Sequence, residues 1–155
     1  MQTFSAPELT FLFNLSLKVD PPHFQEKTPV GKRRIINVAS GTFEGEEIRG
    51  EVVPGGDDWI TVREDGTIIQ DVRITLRTDD GALILMTYRG IRTGPQSVLK
   101  RLDDGEEVDM TEYYFRTVPV FETASEKYDW LNRTVFICVG KRLQDGVQYS
   151  IYAVK

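Results

Sequence analysis

Apolar side chains alternate with polar ones along the first extended stretch of the chain, and this pattern constrains the fold more than any other feature. From Leu9 to Val19 every second residue is apolar, and most of the residues between them are polar. A period of two places the apolar side chains on one face of a β-strand. Similar stretches recur at 33–43, 48–53, 59–64, 68–78, 82–90, 113–121, 134–142 and 147–154. The sequence therefore predicts an all-β protein.

Turn signals separate several of these stretches. Asp65-Gly66, Asp79-Asp80-Gly81 and Asp145-Gly146 suit the tight hairpins that join antiparallel strands. With about nine strands, closing the sheet into a barrel removes its exposed edges. No linker or repeat divides the 155 residues, a length that can bury one hydrophobic core. We therefore predict an antiparallel closed β-barrel of about nine or ten strands, formed by a single domain over residues 1–155.

One short helix is expected between the last strands. Thr123-Ala124-Ser125-Glu126 has the spacing of a capping box, which predicts one or two helical turns over 125–131. The stretch 94–107 is polar and lacks a clear period, which predicts a mobile loop. Pro54-Gly55-Gly56 interrupts two apolar runs, so it is interpreted as a turn between strands.

Charge and composition limit the partners. The formal net charge is -5 and there is no run of five basic residues, which argues against binding to nucleic acid or to anionic membranes. One histidine, His23, and one cysteine, Cys138, leave no multi-histidine or paired-cysteine metal site, and no phosphate-binding glycine loop occurs. We therefore expect function without a metal or a cofactor. The N-terminus lacks the basic start of a signal peptide, and no apolar stretch reaches 18 residues, which predicts a cytoplasmic protein.

The hairpin turns predict which side chains share a face of the sheet. If Asp65-Gly66 is a two-residue turn, Asp58 lies opposite Arg73. A two-residue turn at Asp79-Asp80 then places Arg73 opposite Met86, and moving this turn by one residue changes the partners but not the face. One face carries Asp58, Ile60, Val62, Ile69, Asp71, Arg73, Thr75, Ile84, Met86 and Tyr88. The opposite face carries Trp59, Val72, Ile74, Leu76, Leu83 and Leu85.

Both faces are substantially apolar, so the register alone leaves two interpretations of the Asp58 face. On the surface, its charged side chains would form an ordinary ladder of ion pairs. Inside the barrel, a few polar groups on apolar walls would suit a small ligand.

Several segments, taken in order, resemble one protein family. They are PGG at 54–56 with Asp58-Trp59, DVRITLRTDDGA at 71–82, YRGIR at 88–92, YFRTVPVFET at 114–123 and YDWLN at 128–132. The series resembles the family called domain of unknown function 3237, short bacterial and fungal proteins folded as β-barrels. The resemblance, which covers about 41–154, implies a barrel with a central cavity. Because the matching residues fall largely on the Asp58 face, it favours that face as the lumen; Tyr88 departs from the pattern, which has asparagine there.

With the Asp58 face as the lumen, the site residues can be given roles. Asp58 and Asp71 are the candidate general acid and base, and Arg73 would hold a developing anion. A buried guanidinium needs a partner, and Asp58 is the partner expected for Arg73. The candidate substrate-binding residues are Ile60, Thr75, Met86, Tyr88, Arg92 and Glu122.

These groups predict a cofactor-independent lyase, isomerase or cyclase acting on a small carbonyl-containing or aromatic metabolite in the lumen. The same cavity also fits a non-catalytic barrel that binds a small molecule. A third hypothesis is a structural domain that forms homo-oligomers, since two apolar faces call for additional cover. Saturable binding without turnover would favour the second hypothesis, and a filled lumen without a pocket would favour the third.

Overall fold

Every strand of the protein belongs to one antiparallel sheet. The computed structural model describes residues 1–155 and contains nine strands. They are β1 (Leu9–Val19), β2 (Phe24–Thr28), β3 (Gly31–Glu44), β4 (Arg49–Val62), β5 (Ile68–Thr78), β6 (Leu83–Thr93), β7 (Tyr114–Thr123), β8 (Phe136–Leu143) and β9 (Gly146–Val154). Consecutive strands from β2 to β9 pair with one another, so most connections are simple hairpins.

The sheet closes on itself through its first strand. β1 pairs with β9 along one side and with the second half of β3 along the other. Eight strands therefore form a closed barrel, and β2 is an additional strand paired with the first half of β3. The all-β class and the closed antiparallel barrel predicted from the alternating pattern are confirmed.

Two strands differ from the sequence-based expectation. β2 was not predicted because its sequence, FQEKT, has a polar centre that lies exposed outside the closed barrel. β4 is one strand where two were predicted, and Pro54-Gly55-Gly56 lies inside it as an irregularity in the pairing, not as a turn. A Cβ on Gly56 would lie 2.5 Å from the carbonyl oxygen of Arg73, so a glycine is needed where these two strands approach.

Helical structure occurs mainly where a loop was predicted. The α-helix, α1 (Gln96–Asp103), lies within 94–107 and buries Val98, Leu99 and Leu102. The predicted helix at 125–131 is instead a 3-10 segment, Asp129–Arg133. A second 3-10 segment, Met110–Glu112, precedes β7. None of these helices has the length and apolar character needed to cross a membrane.

Aromatic rings fill one end of the barrel, which we call the closed end. Phe121 packs against Phe13 with ring centroids 6.0 Å apart and against Phe136 at 4.9 Å. Phe13 also packs against Phe43 at 5.3 Å. Trp130, from the 3-10 segment that follows β7, contacts Phe136 at 6.0 Å. The four phenylalanines are almost wholly buried, and together they seal this end.

Candidate active site

The true hairpin geometry determines which side chains enter the barrel. The β4–β5 loop contains three residues, because the Arg63 N–H donates to the Thr67 carbonyl oxygen at 2.8 Å and Gly66 takes a positive φ of 83°. The β5–β6 loop has the same form, with the Thr78 N–H donating to the Ala82 carbonyl oxygen at 2.9 Å. Each loop is one residue longer than the two-residue turn assumed from the sequence.

This additional residue inverts the faces predicted for β5. Arg73 pairs with Asp57, and Asp58 pairs with Val72, so the expected Asp58–Arg73 partnership is wrong. A shift of one residue moves every side chain of a strand to the other face. Val72, Ile74 and Leu76 therefore point into the barrel, and Asp71 and Arg73 are exposed outside. The second three-residue loop adds another one-residue shift, which cancels the first. The side chains of β6 therefore keep their predicted faces, and Asp58 and Tyr88 both point into the barrel.

A cavity of about 600 Å³ lies at the end of the barrel opposite the aromatic rings, which we call the open end. Its apolar lining includes Ile36, Ile60, Ile68, Leu102, Phe115 and Val147. Its polar lining includes Arg34, Asp58, Gln70, Arg92, Asp103 and Arg142. Apolar walls with a few polar groups, in a volume of this size, are typical of small-molecule sites.

Asp58 is the buried carboxyl group of this cavity. Its side chain is 8 % exposed and accepts a hydrogen bond from the backbone N–H of Asp71 at 3.2 Å. Burial raises the pKa of Asp58 to about 7, even though the bonds from Asp71 and from the Gln70 side chain act in the opposite direction. A carboxyl group with this pKa can both donate and accept a proton near neutral pH.

Buried polar side chains lie on the core side of Asp58. Gln70 Nε2 donates to the Tyr149 hydroxyl at 3.2 Å, and Gln70 Oε1 is buried without a partner. The ring of Tyr149 packs against Tyr88 at 5.3 Å and against Phe115 at 5.4 Å. Burial raises the pKa of the Tyr88 and Tyr149 hydroxyls, so both rings are neutral phenols. Both belong to the hydrophobic core, and they connect to the cavity through their neighbours Gln70 and Phe115.

Three arginines reach the cavity from different strands. Arg34 lies 3.7 Å from Asp103 of α1, and Arg142 donates to the backbone oxygen of Glu106 at 3.1 Å. Arg92 is half-buried, its Nε is buried without a hydrogen-bond partner, and desolvation lowers its pKa. Arg92 also lies near enough to Asp58 to favour the ionised carboxylate slightly.

The structure places the nine predicted site residues in two groups. Asp58, Ile60 and Arg92 line the cavity, and Met86 and Tyr88 lie in the core beneath it. Asp71, Arg73, Thr75 and Glu122 do not enter the lumen, which corrects their predicted placement. Arg73 and Thr75 line a shallow depression of about 340 Å³ on the outer surface beside the Pro54-Gly55-Gly56 irregularity. Asp71 reaches the site only through its backbone N–H.

The sequence-based interpretation missed Gln70, Arg34 and Arg142. Each continues the inward-facing phase of its strand: Gln70 precedes Val72 and Ile74 in steps of two, and Arg142 follows Cys138 and Gly140. The sequence did contain a signal for these residues: near the end of a strand, a polar residue stands where the alternation calls for an apolar one. Possible metal ligands are dispersed, since no three His, Cys, Asp or Glu side chains cluster. Burial raises the pKa of the Cys138 thiol to about 12, which makes this cysteine unreactive.

Fold and site together define a closed antiparallel β-barrel with a polar, ligand-sized cavity at one end. The chain belongs to the family described as Protein of unknown function (DUF3237), whose sequence model matches residues 7–154. The family resemblance noted from the sequence motifs is thereby confirmed.

Relatives of known sequence or structure agree with this assignment. A UPF0311 protein of Clostridium acetobutylicum is 39% identical over 144 residues, which cover 92% of this chain and 91% of the relative. The crystal structure of a conserved protein of unknown function from Rhodopseudomonas palustris has a TM-score of 0.91 and 32% identity, and the match covers 99% of this chain and 100% of that one. A more distant relative, the hydroalkoxylation enzyme phnH of Penicillium herquei, is 29% identical over 126 residues, or 81% of this chain and 69% of the relative.

Proposed function

We propose that the protein is a cofactor-independent enzyme of the lyase, isomerase or cyclase type that acts on a small organic molecule at the open end. Asp58 is the proton-transfer group of this proposal. The observation that carries it is a carboxyl group that is buried in a ligand-sized cavity and has its pKa raised to about 7. General acid–base catalysis is most efficient when the pKa of the catalytic group lies near the working pH.

The distant relative supports a reaction that needs only proton transfer. Hydroalkoxylation adds an O–H group across a carbon–carbon double bond: a C–O bond and a C–H bond form, and the O–H bond breaks. The addition needs no oxidant or reductant, so one carboxyl group that donates one proton and accepts another is sufficient. In its protonated form Asp58 would deliver a proton to carbon, and its carboxylate would take the proton of the attacking hydroxyl.

The remaining residues of the site would hold Asp58 and the substrate. The Asp71 N–H would orient the carboxyl group through its hydrogen bond, and the neighbouring Gln70 side chain favours the ionised carboxylate. Phe115 and Ile60 present an apolar surface against which a substrate body can pack, and the Tyr149 ring supports Phe115 from the core. Helix α1 contributes Leu102 to the cavity wall. A substrate bound against these walls would exclude water, which would strengthen the electrostatic interactions within the site.

A non-catalytic binding barrel is the second candidate function. The cavity of about 600 Å³ with its apolar walls supports it directly, and binding requires no proton transfer. In this case Asp58 would serve only to orient a ligand through hydrogen bonds.

The two candidates are separated by incubating the protein with a metabolite extract and following both binding and conversion by mass spectrometry. For each converted compound, turnover is compared among wild type, Asp58→Asn and Asp71→Asn. The two substitutions make the same chemical change on opposite faces of the sheet. We expect Asp58→Asn to lower kcat by a factor of about 10²–10⁴ and Asp71→Asn to leave it unchanged.

The dependence of turnover on pH gives an independent check. If Asp58 transfers the proton, the kcat/KM profile of the wild type should show a transition near pH 7, which is the pKa of its carboxyl group. Compounds that bind saturably and are recovered unchanged would support the binding barrel. Full activity of Asp58→Asn would refute the proposed role of this residue.

A further inference from the structure

Arg92 is a charged residue of the cavity that has no role in the proposed proton transfer. It lies on the inward phase of β6, two residues after Gly90, between Ile68 of β5 and Phe115 of β7. The side chains of Ile68, Arg92 and Phe115 line the cavity of the open end. Arg92 therefore presents its guanidinium to the cavity from a position flanked by apolar neighbours.

No carboxylate of the protein forms a salt bridge with Arg92. The Nε of this side chain is buried without an acceptor. The other two arginines of the cavity do have protein partners: Arg34 pairs with Asp103, and Arg142 donates to the Glu106 carbonyl. A partly desolvated guanidinium without a protein acceptor is costly, so Arg92 is satisfied best when a ligand in the cavity brings the acceptor.

The other acidic groups of the cavity do not fill this role. Asp103 already pairs with Arg34, and Asp20 and Asp145 are exposed at the rim, where water screens them. Asp58 accepts a hydrogen bond from the Asp71 N–H, and it forms no salt bridge with Arg92. Arg92 is thus left with neither a salt bridge nor a hydrogen bond from the protein, and a ligand can supply its acceptor.

We propose that the cavity takes a small organic carboxylate whose carboxylate group is bound by Arg92 and whose apolar body packs against Ile68 and Phe115. The planar guanidinium can donate two parallel hydrogen bonds to a carboxylate, a geometry that a lysine ammonium cannot match. The inference rests on the cavity of the proposed function and specifies its substrate class. It places the charged end of the ligand on β6 and leaves Asp58 on β4 free to act on the uncharged part.

The test uses 2-naphthoate as a carboxylate probe and 2-naphthamide as its uncharged counterpart of the same shape. Affinities are measured by isothermal titration calorimetry for wild type, Arg92→Gln and Arg89→Gln. Arg89 is the matched control, since it lies on the same strand but is exposed on the outer face. We expect wild type and Arg89→Gln to bind 2-naphthoate at least about tenfold more tightly than 2-naphthamide, and Arg92→Gln to lose this preference.

Three results would overturn the inference. They are a lack of 2-naphthoate binding to the wild type, equal affinities for the two probes, and a preference that survives Arg92→Gln. A crystal structure of the wild type with 2-naphthoate makes the test independent of how well the variant folds. It should show the carboxylate within hydrogen-bond distance of the Arg92 nitrogens, and a carboxylate bound elsewhere would contradict the proposal.

Asp58→Asn separates this inference from the proposed function. If Arg92 selects the carboxylate, Asp58→Asn keeps the preference for 2-naphthoate whether or not it still turns substrate over. Retained turnover with a retained preference would refute only the role of Asp58. Lost turnover in Asp58→Asn with no carboxylate preference in the wild type would refute only the substrate class.

Discussion

The closed and open ends of the barrel are built from the same strands, yet their inward side chains have opposite chemistry. At the closed end, Phe13, Phe121 and Phe136 interlock with no polar group among them. At the open end the inward positions of the same sheet include Asp58 and Arg92, around a cavity. Packing at the closed end therefore offsets the cost of poorly satisfied polar groups at the open end, as is common in proteins whose sites trade stability for function.

The largest effect is expected at the closed end. Phe121→Ala removes a buried ring that contacts both Phe13 and Phe136, and such truncations lower the free energy of unfolding by about 3–5 kcal/mol. Chemical denaturation measures the change. Val120→Ala is the control, because Val120 is the preceding residue of β7 and is 62% exposed; we expect a change within about 0.5 kcal/mol. Similar losses for the two variants would contradict the description of this end as the tightly packed core.

The next largest effect is the loss of stability caused by ionising the buried Asp58 carboxyl group at the open end. Its pKa is about 7 in the folded protein, against an ordinary value of 3.8. The folded state therefore binds this proton more tightly than the unfolded chain does. Protonation of Asp58 therefore contributes to the free energy of unfolding. This contribution is fully present below pH 4 and is lost as the pH rises through 7. The total loss is about 4 kcal/mol, because each pKa unit corresponds to about 1.4 kcal/mol.

Asp58→Asn should remove this pH dependence. The variant is expected to match the wild type near pH 4 and to exceed its free energy of unfolding by up to about 4 kcal/mol above pH 8. Denaturant titrations at several pH values provide the measurement. Asp71→Asn, on the exposed face of β5, should change stability by only about 0–1 kcal/mol. A wild type whose stability is no lower than that of Asp58→Asn at pH 8 would show that the carboxyl group is not held in an unfavourable environment.

An intermediate effect is expected where β6 approaches β7. A Cβ on Gly90 would lie 2.3 Å from Thr117 Cγ2 and 3.0 Å from Gln70 Oε1. Gly90→Ala should therefore lower the free energy of unfolding by about 1–3 kcal/mol through overpacking and weaken 2-naphthoate binding by displacing Gln70. Thr87→Ala, on the exposed face of the same strand, should do neither. An unchanged affinity in Gly90→Ala would show that Gln70 does not help to shape the site.

The smallest effect is expected outside the barrel. Arg73→Ala removes an exposed side chain that takes part in no salt bridge, so the free energy of unfolding should change by about 0–1 kcal/mol. Had Arg73 been buried beside Asp58, its loss would have cost about 3–5 kcal/mol. A thermal melt of this variant therefore tests the register of β4 and β5 directly.

Much of the fold could be predicted because alternation is a local property. The bounds of β1 and β5 agree with the stretches read from the pattern, and Asp58 and Trp59 point in and out of the barrel as expected. Helix α1 was missed because its apolar residues, Val98, Leu99 and Leu102, are few and lie in a polar segment. They become a helical face only when the barrel offers a surface to cover.

The candidate site was predictable only in part, because faces depend on register. Asp58, Ile60 and Arg92 were predicted as site residues and line the cavity, whereas Asp71 and Arg73 were assigned to the wrong face. A strand has a period of two, so one additional residue in a hairpin loop exchanges its two faces. That residue depends on the bonds that close the loop, and sequence letters such as Asp-Gly suit both a two-residue and a three-residue turn.

The sequence by itself determined that this chain forms antiparallel strands, and along regular stretches it determined which side chains share a face, because alternation acts over neighbouring residues. β1 departs from the predicted pattern: a bulge between Phe11 and Phe13 leaves Leu9 and Phe11 exposed, although Phe13, Leu15 and Leu17 are buried. Only the tertiary structure decided which face of β5 became the interior and which polar groups met at the open end. Arg34, Asp58, Arg92 and Arg142 come from four strands, and they surround one cavity because β1 closes the barrel against β3 and β9. Closure and loop hydrogen bonding join residues that are distant along the chain, so no local pattern records them.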